Sequence, residues 1–386
     1  MAGFATGGAR SLGVEGSEAE GHGAGGLKVA HADSAALLVP GSERAAGPLA
    51  PCDRRFREQA EDAALVAGAT RARGAGDRAR PEAPDPWRTC FERDRDRILH
   101  SSAFRRLAGK TQVSIFPEDH SRTRLTHALE VAQVATSVAR ACGLNVALTE
   151  AIAFGHDCGH GPGGHASEDA FAPYLDEGFD HAPWGAQVSL APLNLCAETL
   201  DGIANHSWSR PAPATCEGEV VSWADRIAYV CHDWEDAVAT GIVAPERLDP
   251  VVAERCGTRR AQQLGTFIEA LVSTTRAAGR VAMDAAHAEA LARFRRLNYE
   301  HIYLRAASVA QAEAVIALLR ALVEHYADRP NAIPSVREAG GLGAGGAVAI
   351  RAAVGYVAGM TDRFACRQAV ARLGWDRSKL PRAIES

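Results

Sequence analysis

From Arg54 onward, apolar side chains recur three and four positions apart, the period of an α-helix with one buried face. The clearest stripe runs over 123–142. There Leu125, Ala128, Val131, Ala132, Ala135, Val138, Ala139 and Cys142 fall together, and Gly143 supplies a stop. Residues 148–157 read as a short buried helix (Leu148, Ile152, Phe154) that runs out at His156-Asp157. Residues 217–239 repeat the pattern with Val220, Val221, Ala224, Ile227, Ala228 and Cys231. Asp225, Tyr229 and Asp233 are four residues apart there, so they share one helix face. Further helices are expected over 55–66, 90–108, 260–277, 283–297, 304–326 and 345–372. Residues 68–86 read as a loop, punctuated by Gly74, Gly76, Pro81, Pro84 and Pro86. Alternation of strand type is confined to a short candidate pair near 110–117. The fold class expected is all-α.

Composition narrows the picture. Residues 1–52 are rich in Gly, Ala and Ser without periodicity, and are expected to form a disordered tail ahead of one domain over 53–386. The net charge of -5 provides no global basic field for nucleic acid, so a polyanion would need a local patch. Nine cysteines occur with no C-x-x-C pair, and no secretory pattern is seen over Met1–Gly26. Reduced thiols in a cytoplasmic protein are therefore expected. No membrane partner is expected, because no apolar run reaches the ~20 residues of a span.

The candidate chemistry sits where helices end. His127, His156, Asp157 and Asp225 supply two imidazoles and two carboxylates, a suitable ligand set for one divalent cation. The loop HDCGHGPGGH (156–165) adds His160 and His165 among four glycines. Glycines permit close backbone approach to an anion, and histidines donate to phosphate or exchange protons near neutral pH. Arg124 and Arg226 neighbour the outer ligands, and guanidinium forks match phosphate oxygens. Arg122 belongs to the same stretch but reads as solvated charge. Cys158 reads as a small buried side chain. Gly109-Lys110-Thr111 lacks the spacing of a phosphate-binding P-loop. Tyr229 suits stacking on a sugar or base, and Asp233 suits accepting from a ribose hydroxyl.

Six blocks carry a family resemblance: DRDRILHSSAFRRLAGKTQV (94–113), SRTRLTHALEVAQVA (121–135), AFGHDCGHGPGGHASE (153–168), LNLCAETLDGIANHSW (193–208), VSWADRIAYVCHDWEDA (221–237) and GYVAGMTDRFA (355–365). In this order the chain resembles the HD-domain deoxynucleoside triphosphate triphosphohydrolases, the bacterial dGTPase-like proteins. The resemblance implies an all-α HD-domain helical bundle with additional C-terminal helices. It implies hydrolysis of a dNTP to deoxynucleoside and inorganic triphosphate. His127, His156, Asp157 and Asp225 would bind a divalent metal ion (Mn, Mg, Co, Fe or Ni). Gln112, Arg124, Arg226, Tyr229 and Asp233 would bind substrate. His160, His165, Glu168 and His181 would serve the chemistry, with His181 at the leaving group or the water. A homo-oligomer and a dNTP or single-stranded nucleic acid effector are further expectations.

Two departures from the family pattern stand out. Gly163 replaces an aromatic residue, which predicts a more mobile loop. His181 is followed by Ala182-Pro183-Trp184 where the family continues with Asn and a polar stretch. Two alternatives use the same pocket: an HD-type nucleotide phosphomonoesterase or phosphodiesterase, and a slow-turnover sensor of dNTP or single strands.

Overall fold

Residues 51–113 and 122–381 are described by a computed structural model, and among them sixteen α-helices form with short 3-10 and π turns and no strand. In chain order they are α1 (Arg54–Ala64), α2 (Cys90–His100), α3 (Ser102–Arg106), α4 (Arg124–Cys142), α5 (Val146–Gly155) and α6 (Ala166–Phe171). Then come α7 (His181–Trp184), α8 (Ala197–Asn205), α9 (Cys216–Ala239), α10 (Pro250–Cys256) and α11 (Arg260–Ala278). The last are α12 (Ala285–Asn298), α13 (Ala306–Asp328), α14 (Pro334–Glu338), α15 (Ala347–Ala358) and α16 (Asp362–Leu373). The chain is all-α, as the stripes implied. Residues 1–50 of the expected tail, and 114–117 of the candidate strand pair, lie outside the described residues. What is described of that pair is a single antiparallel bridge between Thr111 and Thr123.

Caps set the helix boundaries. Thr123 accepts from Thr126 N–H at the head of α4, and Gly143 ends it in the left-handed conformation at φ 68°. Asn145 accepts from Leu148 N–H to start α5. Two expected helices are each broken in two. The span 90–108 breaks at Ser101, which is extended (ψ 152°) and caps α3 by accepting from Phe104 N–H. The span 345–372 breaks at Gly359–Thr361, where Thr361 is extended and caps α16. In both cases a serine or threonine that competes with the helix backbone sits inside an otherwise helical pattern.

Two apolar clusters hold the helices. In the larger, α4 and α5 pack on each other and on α9 through fully buried Val131, Val138, Leu148, Ile152, Val220 and Ile227. Burying each such side chain contributes about 1.5–3 kcal/mol. The smaller joins α6, α13, α15 and α16 through Phe171, Leu319, Leu322, Tyr326, Val354 and Val357. Contrary to the expectation that no apolar segment reaches membrane-spanning length, α13 does so by length and composition, with mean hydropathy 1.6. Its alanines raise that value, and Val315, Leu318, Leu319, Leu322, Val323 and Tyr326 place one face in the second cluster.

Buried polar anchors fix the ends of α5 and α8. The Glu217 carboxylate accepts from Thr70 N–H (3.0 Å), the Thr70 hydroxyl (2.8 Å) and Asn145 N–H (2.9 Å), binding the 68–86 loop to α5 and α9. Asp94 pairs with Arg78 at 2.6 Å and accepts from Cys196 N–H and the Thr199 hydroxyl, each at 2.8 Å, which seats α8.

Candidate active site

The metal-ligand candidates come from four places in the chain. His127 lies in the first turn of α4, His156 caps α5, Asp157 follows it, and Asp225 lies in the middle of α9. Packing of α4, α5 and α9 brings their side chains together. His127 Nε2 lies 3.0 Å from Asp225 Oδ1, and His156 Nε2 lies 3.7 Å from the same oxygen. Asp157 Oδ1 approaches His156 Nε2 from another side, at 3.6 Å. His156 Nδ1 donates to the Ala153 carbonyl at 2.6 Å, so its Nε2 presents a lone pair. Among the described residues, that buried Nε2 has no hydrogen-bond partner. A buried acceptor nitrogen between two carboxylates and a second imidazole fits a divalent cation by geometry and donor type.

Electrostatics suits the same role. Burial alone would raise the Asp157 carboxyl, but Arg124, His156 and His160 hold it well below the usual carboxylate range. Asp225 is likewise held low against burial by His127 and His156. Arg124 donates from Nη1 to Asp157 Oδ2 at 2.7 Å.

A second group of side chains faces the first. The Glu168 carboxylate lies 2.5 Å from His181 Nδ1 and 3.3 Å from His165 Nδ1, and it also accepts from His181 N–H at 3.1 Å. His181 is raised by Glu168 against the lowering effect of burial, while burial, Arg124 and His181 push His160 well below its ordinary value. The rings of His160 and His181 stack with centroids 3.7 Å apart. His160 Nε2 lies 3.2 Å from Asp157 Oδ1, which joins the two groups. His165 is exposed toward a cavity of about 680 Å³, bordered also by Glu168, His181, Trp208, Arg226 and Arg295. A larger cleft of about 860 Å³, bordered by Arg106, Tyr356 and Arg367, shares no bordering residue with it and holds no histidine or carboxylate.

The substrate-binding candidates divide. The Arg226 guanidinium lies over the Trp208 ring, 3.5 Å from its centroid, and its buried Nε has no hydrogen-bond partner among the described residues; the same is true of Arg124 Nε and Gln112 Oε1. Tyr229 and Asp233 lie on the Asp225 face of α9, one and two turns on. The Tyr229 hydroxyl accepts from Arg295 Nε at 2.9 Å, and the Tyr303 hydroxyl donates to Asp233 at 2.5 Å. Burial pushes Asp233 up to about 7, although Tyr303 opposes it. Arg122 is engaged elsewhere, by Glu130, Glu235 and Asp236.

Four residues of this neighbourhood had no role assigned from sequence: His206, Trp208, Arg295 and Tyr303. His206 Nε2 lies 3.2 Å from His181 Nε2, and its ring packs on His156. Burial, with His156 and His181, lowers it to about 3, which keeps it neutral. Its signal was present, since Asn205-His206 follows a helix inside a matched block. Arg295 and Tyr303 lie at and beyond the end of α12, in no motif, and only the tertiary fold brings them to α9.

The glycine loop is held more firmly than the loss of its aromatic suggests. A Cβ on Gly159 would enter the space of the His181 carbonyl, so the backbone there passes close against α7. Gly163 takes φ 74°, its N–H donates to Asp362 at 2.9 Å, and a Cβ there would strike Val315. Val315 of α13 and Asp362 of α16 therefore occupy and contact the position that the aromatic holds in the family pattern. The residues after His181 form α7, with Ala182 and Trp184 buried, so the departure from a polar stretch is taken up by packing.

An adjacent His-Asp pair at a helix end, completed by His and Asp from two packed helices, defines an HD-type hydrolase site. Residues 124–230 match the HD domain, and residues 281–370 match a phosphohydrolase-associated domain. The molecule is a metal-dependent phosphohydrolase of the HD class. The chain is 39% identical over 321 residues to a deoxyguanosinetriphosphate triphosphohydrolase-like protein of Caldanaerobacter subterraneus subsp. tengcongensis, covering 81% of this chain and 93% of that one. Proteins of the same description from Clostridium perfringens (38% identity, 74% and 87% of the two chains) and Desulfatibacillum aliphaticivorans (39%, 75% and 88%) are also similar. The chain belongs to this family of deoxyguanosinetriphosphate triphosphohydrolase-like proteins.

Proposed function

We propose that the chain hydrolyses deoxynucleoside triphosphates to deoxynucleoside and inorganic triphosphate. The observation that carries this reading is a set of buried polar atoms without a hydrogen-bond partner among the described residues. Of twelve such atoms, five are on candidate-site residues: Arg124 Nε, Arg226 Nε, His156 Nε2, His160 Nδ1 and Gln112 Oε1. Unsatisfied buried donors cost about 1–3 kcal/mol each unless a ligand completes them. Two guanidinium donors beside a His/Asp cluster suit a polyphosphate.

His127, His156, Asp157 and Asp225 would hold the divalent ion, which supplies Lewis acidity toward a phosphoryl oxygen and toward water. The protein's own groups do the rest. Arg124 and Arg226 offset negative charge on the phosphates. Water adds to the α-phosphorus, the bond from phosphorus to O5′ breaks, and O5′ takes up a proton. His181, oriented by Glu168, whose carboxylate favours the protonated ring, would give that proton, with His165 at the cavity side of the same carboxylate. By the family resemblance, Tyr229, tied here to Arg295, would pack against the sugar where a 2′-hydroxyl would sit, and Asp233 would accept from the 3′-hydroxyl.

Each dNTP incubated with Mn²⁺ or Mg²⁺, and its products separated by ion exchange, tests the reading. Deoxynucleoside plus intact triphosphate is expected. Orthophosphate or monophosphate would overturn it in favour of a phosphomonoesterase or phosphodiesterase.

A further inference from the structure

Lys110 and Asp362 are neither metal-ligand nor substrate-binding candidates, yet both are buried against the glycine loop. Asp362, the first residue of α16, is 6% exposed. Its Oδ1 accepts from Gly163 N–H at 2.9 Å. Its Oδ2 accepts from Thr111 N–H at 2.8 Å and from the Thr111 hydroxyl at 2.5 Å. One carboxylate thus joins the loop to the segment before α4. Lys110 is 4% exposed, and its ammonium donates to the His160 carbonyl and, at 3.1 Å, to the Ala358 carbonyl at the end of α15. Lys110 O in turn accepts from Arg124 N–H at 3.3 Å, at the start of the helix that carries His127.

The bonds form a latch. The loop runs from Asp157 to His165 and is gripped at His160 by Lys110 and at Gly163 by Asp362. Both grips lead to the C-terminal helices, in the part matching the phosphohydrolase-associated domain. Arg124 is fixed by the same segment, and the space beside Gly164 is filled by the Arg124 guanidinium and the Thr111 carbonyl. Moving the loop therefore moves His160, His165 and Arg124 together. Gly163, with its positive φ, cannot hold the turn by its own preference, because glycine is the most conformationally free residue. The restraint has to come from outside the loop.

We propose that Asp362 and Lys110 are positioning residues, through which the C-terminal helices hold the glycine loop and its histidines in register with the metal site. The catalytic part of the proposal rests on the dNTP hydrolase reading; the mechanical part does not.

The test compares the full-length parent with Asp362→Asn and with Thr111→Val, which removes only the hydroxyl donor and keeps the side-chain shape. Amide hydrogen exchange over 159–165, circular dichroism, and kcat and KM for dGTP with Mn²⁺ are measured. Exchange at the loop is expected to quicken in both variants while the other helices keep their protection. With that, kcat is expected to fall by about 10–100-fold in Asp362→Asn and less in Thr111→Val, with KM little changed. Unaltered loop exchange in a folded variant overturns the latch. Quickened exchange with full kcat overturns the link to catalysis. If Asp362→Asn does not fold, Thr111→Val carries the decision by the same readouts. If the parent turns over no dNTP, the function reading fails while loop exchange still decides the latch.

Discussion

His156 states the chemistry of the molecule in one side chain. Its Nδ1 is tied to the backbone of its own helix, and its Nε2 faces two carboxylates with no hydrogen-bond partner among the described residues. The ring is oriented before any ion arrives, the arrangement in which a histidine ligand is most effective. Asp157→Ala is therefore expected to lower turnover by at least about 100-fold, while circular dichroism shows a folded chain. Retained turnover in that variant would remove Asp157 from the mechanism. Arg226 offers a different kind of test. Its guanidinium is held on Trp208, so Trp208→Ala should raise KM modestly, consistent with the about 0.5–1 kcal/mol of an exposed cation–π contact. Arg226→Ala should raise KM further, since a hydrogen bond to a charged group contributes about 1.5–3 kcal/mol. Steady-state kinetics on the three proteins would refute this ordering if Trp208→Ala proved the more damaging. His156 and Asp157 were legible in the sequence because an adjacent His-Asp pair at a helix end is a local feature, and His127 and Asp225 were legible through the blocks that carry the family resemblance. Arg295 and Tyr303 were not, because their approach to Tyr229 and Asp233 is made by the packing of α12 on α9 alone.

At the scale of elements, the long stripes foretold the long helices, and the errors fell at caps. Ser101 and Thr361 each sit within a helical apolar pattern and stop it by bonding their own following backbone. Apolar periodicity is blind to that competition. The short helices α6, α7, α8, α10 and α14 escaped for a related reason, since a few residues carry little period. The glycine loop shows how an element obtains rigidity from its neighbours. Gly163→Ala forces a side chain into a left-handed conformation at a cost of about 1–2 kcal/mol, and drives it into Val315. A lower Tm is expected, and adding Val315→Ala in the same chain should recover part of the loss by removing the collision. Thermal melts of the two chains would contradict this packing if the double variant were no more stable than Gly163→Ala.

For the whole molecule, two apolar clusters meet at one site. Helices α4, α5 and α9 of the larger cluster bring the metal-ligand candidates, while α13, α15 and α16 of the smaller back the loop that lies over them. An ion bound at such a junction stabilises the folded chain by mass action, about 2.7 kcal/mol at an ion concentration a hundredfold above its Kd. Mn²⁺ is thus expected to raise the Tm of the parent and to leave that of His156→Ala nearly unmoved, and a chelator should reverse the rise and abolish turnover. An equal shift in both proteins would place the ion elsewhere. The all-α class was legible because every long periodic stretch from Arg54 onward carried the helical period. The junction was not, because it depends on contacts between residues some two hundred positions apart, such as Gly163 and Asp362.

The central claim is that water adds to the α-phosphorus of a dNTP at this site. Turnover of dGTP with Mn²⁺ in water enriched in heavy oxygen, followed by mass spectrometry of both products, tests it most directly. Label in the released triphosphate and none in the deoxyguanosine is the predicted result. Label in the deoxyguanosine, or release of orthophosphate in place of triphosphate, would contradict it.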